Sequence, residues 1–507
     1  MFKNLNHRMF WPAILLLLGI VVLNFANIDM FTAVVNGVND WILDYFGGTF
    51  SLVGLTAVIM CIIIYFSPFG NVVIGGKNAK PMMSKWNWFA ITLCTTIATG
   101  CVFWGFVQPV VHIVQPPVSM GLEPGSPQSA VFALSTIFMQ WSFHPYALYC
   151  LPGLMFAFVY YNMKKPYGIT STLIPALGEK IPNKLFVPLN SIFLVSVILG
   201  LSASTGAGIL NLSGGLNYLL GIESKPSLWL IVGFSFVSIA VISAITGIMK
   251  GIRVLSDLNV KAYFIIAAFL LLTGPLAYVV NIAIEAFGQY LDTFFSQSLF
   301  TGTAAGDTWP RGWINYNWAI WLSTIPMAPL FLGRISVGRK VKEYISMNFI
   351  IPGCFGILWM SVLSGNSIYQ EMTTGSLSTV MAAKGQEFII YEFFTKYPLS
   401  TIVIPFYMIA IFISFVTCVD SNVTAMSSLA STNFTPDHSV SPHGVKIILG
   451  GLLLAITWIM LTFANLQGVK ILANLGGFPA LFIEIIIIVG LVKILKNPEK
   501  YNEIDKN

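Results

Sequence analysis

Charge is what this chain has least of: of 507 residues only 9% are Asp, Glu, Lys or Arg, while 56% are hydrophobic. A soluble globule carries roughly a quarter of its residues as charges, so composition excludes one and leaves a polytopic membrane protein. Cysteine is scarce too. Cys61, Cys94, Cys101, Cys150, Cys354 and Cys418 lie inside apolar segments at neither disulfide-framework nor metal-ligand spacing, which excludes a stapled or zinc-held fold. The five histidines are His7, His112, His144, His438 and His443, and neither G-x-S-x-G nor H-E-x-x-H occurs. An intramembrane enzyme would thus lack a recognisable nucleophile with its base, or a metal set. No basic run interleaved with aromatics exists, so no nucleic-acid partner is expected. The first apolar segment has no small-residue cleavage site and reads as an uncleaved span.

Long apolar runs are what the chain does have. They cover 11–28, 50–67, 86–112, 129–162, 188–214, 227–249, 260–284, 313–333, 346–366, 400–430, 446–465 and 472–495. About twelve membrane-spanning helices follow, since ~20 apolar residues cross a bilayer. With the N-terminus inside, 21 of the 26 Lys and Arg residues face the cytoplasm and only Lys225, Arg311, Lys384, Lys396 and Lys470 lie outside. The excess of cytoplasmic Lys and Arg implies a multi-pass protein of the plasma membrane with both termini cytoplasmic. The stretches 285–312 and 367–399 carry apolar periodicity and predict surface helices. Gly333 to Met347 reads either as an amphipathic helix lying on the membrane or as a plain connector.

Inside the spans, breakers and aromatics show where regular helix gives way. Thr95 to Pro109 reads TTIATGCVFWGFVQP, with Gly100 near its middle, where an unwound turn would expose backbone amides. Trp141 to Tyr149 reads WSFHPYALY, with Pro145 expected to interrupt the helix. Trp318 and Trp321 stand one turn apart ahead of Pro326 and Pro329. Trp141, Tyr146, Tyr149, Trp318 and Trp321 inside a membrane interior suit a cation without hydrogen-bond donors, because ring faces attract it where a primary amine would leave donors unpaired. A quaternary ammonium substrate is the expectation, and interfacial belts are the commoner use of Trp and Tyr.

The segment from Trp313 to Arg339 resembles the signature of the betaine/choline/carnitine transporter family. The likeness rests on Trp313, Trp318, Ala319, Trp321, Ser323, Pro326, Phe331, Leu332, Arg334, Ile335, Ser336, Gly338 and Arg339. Supporting stretches are WSFHPYALY, GIMKGIRVLSD (Gly247 to Asp257) and FVTCVDS (Phe415 to Ser421). The resemblance implies a LeuT-like all-α fold, two leading helices followed by two inverted five-helix repeats, assembled as a homotrimer in lipid. The corresponding division is 1–85 for the tail and leading helices, 86–284 for the first repeat, 285–312 for an external loop with a surface helix, 313–495 for the second repeat and 496–507 for a short tail. It further implies alternating access around a box in which Trp141, Tyr146, Tyr149 and Trp321 hold a trimethylammonium group, with Gly100 near the substrate carboxylate. This chain departs from the family pattern at Ile320 and Thr324, where aromatics are usual.

The resemblance also implies how transport is coupled. Sodium-driven members bind the ion through a Thr–Ser pair, here Thr417 and Cys418, and through main-chain carbonyls, here Cys94 and Ile97. A thiol is a poor ligand for a hard cation. The arginine of sodium-independent exchangers is replaced by Asn259. Asp420 is the candidate proton relay, and Glu484 reads as structural. No cofactor is expected beyond Na+ as coupling ion. The function expected is a secondary carrier of glycine betaine, choline or carnitine by ion-coupled symport, with substrate exchange as the alternative and an enzyme or channel as remote ones. The tail after Lys493 is too short to suggest tail-based osmosensing.

Overall fold

The computed structural model describes residues 5–96, 99–178, 183–246, 249–431 and 442–504, and their structure is almost wholly helical. The β features among the described residues are two isolated bridges, Leu5 to Ser431 and Val73 to Lys340. The first two helices, α1 (His7–Ala26) and α2 (Ile28–Phe66), are separated by Asn27 alone. Its N–H closes α1 on the Leu23 carbonyl, and its side chain accepts from Met30 N–H at 2.9 Å to cap α2. One residue thus satisfies orphan groups of both helices.

Next come α3 (Lys85–Thr96), α4 (Thr99–Val114), α5 (Pro127–Trp141) and α6 (Phe143–Ala157). After these come α7 (Asn183–Leu220), α8 (Pro226–Thr246), α9 (Met249–Thr273) and α10 (Leu276–Asp292). The remaining elements are α11 (Tyr316–Ser323), α12 (Ala328–Arg334), α13 (Ile351–Thr374), α14 (Ser400–Leu429) and α15 (His443–Lys496). Among the described residues, eight helices are long and apolar enough to cross a membrane, or nine if the bent pair α9/α10 is one span. Their outward side chains are as apolar as the core: Leu15 and Phe25 of α1 are 62% and 69% exposed, and Ile231 and Phe234 of α8 are 62% and 61% exposed. Such faces are stable against lipid. The protein is an all-α polytopic membrane protein.

The expected segment at 313–333 runs as short helical pieces rather than a single long helix. The expected division at 284/285 falls within α10, because the chain turns earlier, at Gly274–Pro275, where the axis bends by 106°. Ile282, Ala286 and Tyr290 then continue one buried stripe across the expected boundary. Within Gly333 to Met347, residues 335–340 are a connector, and Val341–Ile345 forms a short helix that leads into the next span. Residues 335–340 form turns pinned to the 72–83 loop by Arg339 C=O accepting from Ile74 N–H and by the Arg339 guanidinium donating to Met83 O at 2.6 Å. The expected surface helices around 285–312 and 367–399 correspond to α10 and to short helices at Ser376–Lys384 and Ile389–Thr395.

The 54-residue α15 would be about 80 Å long if straight, more than twice the ~30 Å hydrocarbon core. Non-helical Ala464 and Asn465 break it, and Gly468 packs against the Met460 backbone, so the chain reverses there. Its second half lies against α7 and α11 through bare backbone. A Cβ on Gly476 would sit 2.8 Å from Ser196 O, and one on Gly477 would be 2.5 Å from Ala319 Cα. Small residues give such close approach where no hydrophobic effect drives helices together.

The two ends of the bundle are defined by their contacts. Asn162, Val73, Asn502 and Glu503 are joined by hydrogen bonds at the end that holds the termini. At the opposite end, Asp307 accepts from Ser119 N–H and O–H, Trp309 donates to Gln115 O, and Arg311 pairs with Asp44 at 2.6 Å. Gly477→Ala is expected to destabilise the bundle by about 1–3 kcal/mol through overpacking. Unfolding by SDS titration in mixed micelles measures this, and an unchanged midpoint would mean that the contact has slack.

Candidate functional site

Two broken helices meet at the centre of the bundle. The α5/α6 break is at Ser142, with φ −120° and ψ −115°, three residues ahead of the expected Pro145. Pro145 instead sits in the first turn of α6, where a missing N–H costs nothing. The α11/α12 break spans 324–327, ahead of Pro329 in the first turn of α12. Both breaks are enclosed by protein. Gly356 of α13 lies against the Trp141–Ser142 backbone, and Ser364 donates to Gly105 O at 2.8 Å.

Four aromatic side chains converge between the breaks. The Trp321 ring centroid is 6.1 Å from Trp141, 5.8 Å from Tyr146 and 4.8 Å from Tyr149, with interplanar angles of 69°, 65° and 68°. Stacked pairs would cover each other's faces, whereas these steep angles leave ring face free for a third group. All four residues are buried. Gly100 lies beneath Trp141: a Cβ there would be 3.6 Å from Trp141 Cη2 and 3.7 Å from Trp104 Cδ1.

The rings are held by polar side chains. Trp141 Nε1–H donates to Gln108 Oε1 at 2.8 Å, and the Gln108 amide donates to Gln140 Oε1 and lies 3.1 Å from His112 Nε2. The Thr324 hydroxyl donates to Trp321 O at 2.9 Å, so its oxygen accepts from the Tyr149 phenol. Thr324 therefore fixes two of the four rings. The Trp321 indole N–H has no hydrogen-bond partner among the described residues.

Trp318 stands apart from this group. It stacks on His144 at 5.1 Å and 18° and packs against Gly54 of α2, while His144 reaches Ser298 at 2.8 Å. Its place is a strut between α11 and α2.

At the expected ion site, the Thr417 hydroxyl donates to Ser414 O at 3.0 Å, which leaves its oxygen lone pairs available. Asn422 Nδ2 donates to Cys418 O at 2.8 Å and reaches Cys418 Sγ at 3.3 Å, so an amide hydrogen already occupies that carbonyl. Ile97 and the Cys94 side chain lie outside the described residues. Thr417 fits a hard cation; the thiol does not. No group of three or more His, Cys, Asp or Glu residues among the described residues is arranged to hold a metal. Asp420 is 3% exposed; Thr424 donates to its Oδ1 at 3.5 Å, and Ser243 and Lys446 face its carboxylate.

Residues 8–500 match the model of the betaine/carnitine/choline family of transporters. The chain belongs to that family. It is 25% identical to an ectoine/hydroxyectoine transporter of Virgibacillus pantothenticus over 99% of both chains. It is 27% identical to a glycine betaine transporter of Bacillus subtilis, over 99% of this chain and 96% of the other. A high-affinity choline transport protein of Escherichia coli is 27% identical over 90% of this chain and 67% of its own length. Relatives throughout the family named here are transporters, and the chain is not an enzyme.

For this family member, sequence reading passed over Gln108 and Gln140, and it noted Thr324 only as a departure. The available signal was an uncharged polar residue deep in an apolar run, which must find a buried partner. Thr324→Val is expected to weaken substrate binding about five- to tenfold by freeing Tyr149, with Thr324→Ser close to wild type. Equilibrium titration of the purified protein checks this, and equal loss in both variants would contradict it.

Proposed function

We propose that this chain is a secondary carrier that moves a quaternary ammonium solute of the glycine betaine, choline or carnitine type across the plasma membrane by alternating access. The observation that carries the reading is the meeting of Trp141, Tyr146, Tyr149 and Trp321 at steep ring angles within a buried site. A trimethylammonium group presents diffuse charge and methyl groups. Ring faces satisfy both at about 0.5–2 kcal/mol per contact once water is excluded. Glycine betaine and choline, named for two of the relatives, carry that group. Gly100, small and beside Trp141, leaves backbone approachable for the other end of the solute.

The same proposal takes the termini as cytoplasmic, from the distribution of Lys and Arg. Family resemblance supports the two inverted five-helix repeats and a homotrimer in lipid. Coupling is read as ion symport, with Thr417 as one sodium ligand or Asp420 as a proton relay. Exchange without ion coupling is the second reading, favoured by the thiol of Cys418, a poor ligand for a hard cation that is already engaged by Asn422 at 3.3 Å.

Uptake of labelled glycine betaine, choline and carnitine into proteoliposomes, with sodium and proton gradients imposed separately and internal substrate present or absent, separates these readings. Accumulation under a sodium or proton gradient supports symport, and transport requiring only internal substrate supports exchange. No saturable transport of any of the three contradicts the carrier assignment. Trp321→Ala and Trp141→Ala are each expected to reduce binding at least about tenfold while leaving the protein folded. Normal transport by both variants would remove the box from the mechanism.

A further inference from the structure

Helices α9 and α14 pack against each other, and an unpaired oxygen is buried on the α9 side of that contact. Asn259 and Tyr263 lie one turn apart on α9 and are 8% and 6% exposed. The Tyr263 hydroxyl stands beside Asn259 and beside Ser414 of α14, and near the thiols of Cys101 and Cys418. Neither Asn259 Oδ1 nor the Tyr263 hydroxyl has a hydrogen-bond partner of good geometry among the described residues. A buried oxygen without a donor is costly unless water or an ion supplies the missing contact.

This oxygen adjoins the expected ion site. Ser414 O accepts from the Thr417 hydroxyl at 3.0 Å, so Ser414 meets Tyr263 on one side and Thr417 on the other. The Asn259 amide oxygen and the hydroxyls of Tyr263, Ser414 and Thr417 are neutral oxygens from two helices, the ligand type that a hard cation takes. Cys418 follows Thr417 in sequence, and its sulfur is soft and already accepts from Asn422 at 3.3 Å. Tyr149 of the aromatic box lies near the same two thiols, Cys418 and Cys101. The ring site and this oxygen cluster therefore share a wall.

Resting on the sodium-symport reading above, we infer that Asn259 supplies to the coupling ion the side-chain oxygen that Cys418 cannot. Asn259 Oδ1 and Thr417 Oγ1 are the side-chain ligands, one from α9 and one from α14, with the Tyr263 hydroxyl beside them. Affinity at such sites falls with fewer charged ligands, which suits an ion that must be released in every cycle. An ion shared between α9 and α14 fixes these helices against each other behind Tyr149, and its binding is thereby linked to that of the solute.

The test is sodium binding to the purified full-length protein, read as the rise in unfolding temperature with sodium while N-methylglucamine keeps the ionic strength constant. The variants are N259L, C418S, the double variant and N259D. Wild type is expected to be stabilised by sodium. N259L should raise the sodium concentration needed for half the effect at least about tenfold. C418S, which restores a hydroxyl, should recover most of that loss in the N259L background while changing the wild type little. N259D keeps an oxygen in place and should bind sodium at least as tightly as wild type. An undiminished sodium response in N259L, or no recovery in the double variant, overturns the inference while leaving sodium symport intact; in the first case water rather than the ion satisfies Asn259. Absence of a sodium response in the wild type overturns both. Should N259L fail to fold, N259D carries the test: sodium binding at or above the wild-type level supports the inference, and a loss of about tenfold overturns it.

Discussion

Hydrocarbon offers a backbone amide no partner, and the rest of this structure follows from how that constraint is met and where it is relaxed. Most of the chain satisfies it as continuous helix, and junctions such as Asn27 close one helix and open the next with a single residue. The chain departs from continuous helix at Ser142 and at 324–327, and there other elements enclose the break. These breaks let Trp141, Tyr149 and Trp321 face one another, which uninterrupted helices would not do at these positions.

A site so enclosed must bind charge without water. A carboxylate placed there would cost about 2.5–3.5 kcal/mol before any substrate arrived. Aromatic faces carry no such cost, and they attract a cation more strongly once it is desolvated. The supporting polar groups, Gln108, Gln140 and Thr324, are neutral and spend their hydrogen bonds on orienting rings.

The apolar segments were legible because span length is a local property, and the convergence of Trp141, Tyr146, Tyr149 and Trp321 was legible through the family resemblance of the two segments that carry them. What depended on neighbours was not. Trp318 precedes Trp321 by three residues, which leaves the two about 60° apart around an ideal helix, and that rotation turned Trp318 to His144 and α2. The connector at 335–340 reads as amphipathic helix in one dimension, yet hydrogen bonds to the 72–83 loop hold it in turns. The pairing of Gln108 with Gln140 joins residues far apart in sequence, and periodicity carries no information about it. Exposure misleads in a membrane, since Leu15 or Phe234 on the lipid face obeys the same composition rule as the core.

The central claim is that ring faces, rather than an acid or a bare apolar cavity, hold the cation. Stepwise fluorination of Trp321 by incorporation of mono-, di- and trifluorotryptophan drains the ring face while leaving size nearly unchanged. Binding of tetramethylammonium, a cation without a carboxylate, to this series isolates that one contact. A steady fall in affinity with each fluorine is the predicted result. Affinity that stays flat across the series would contradict the account.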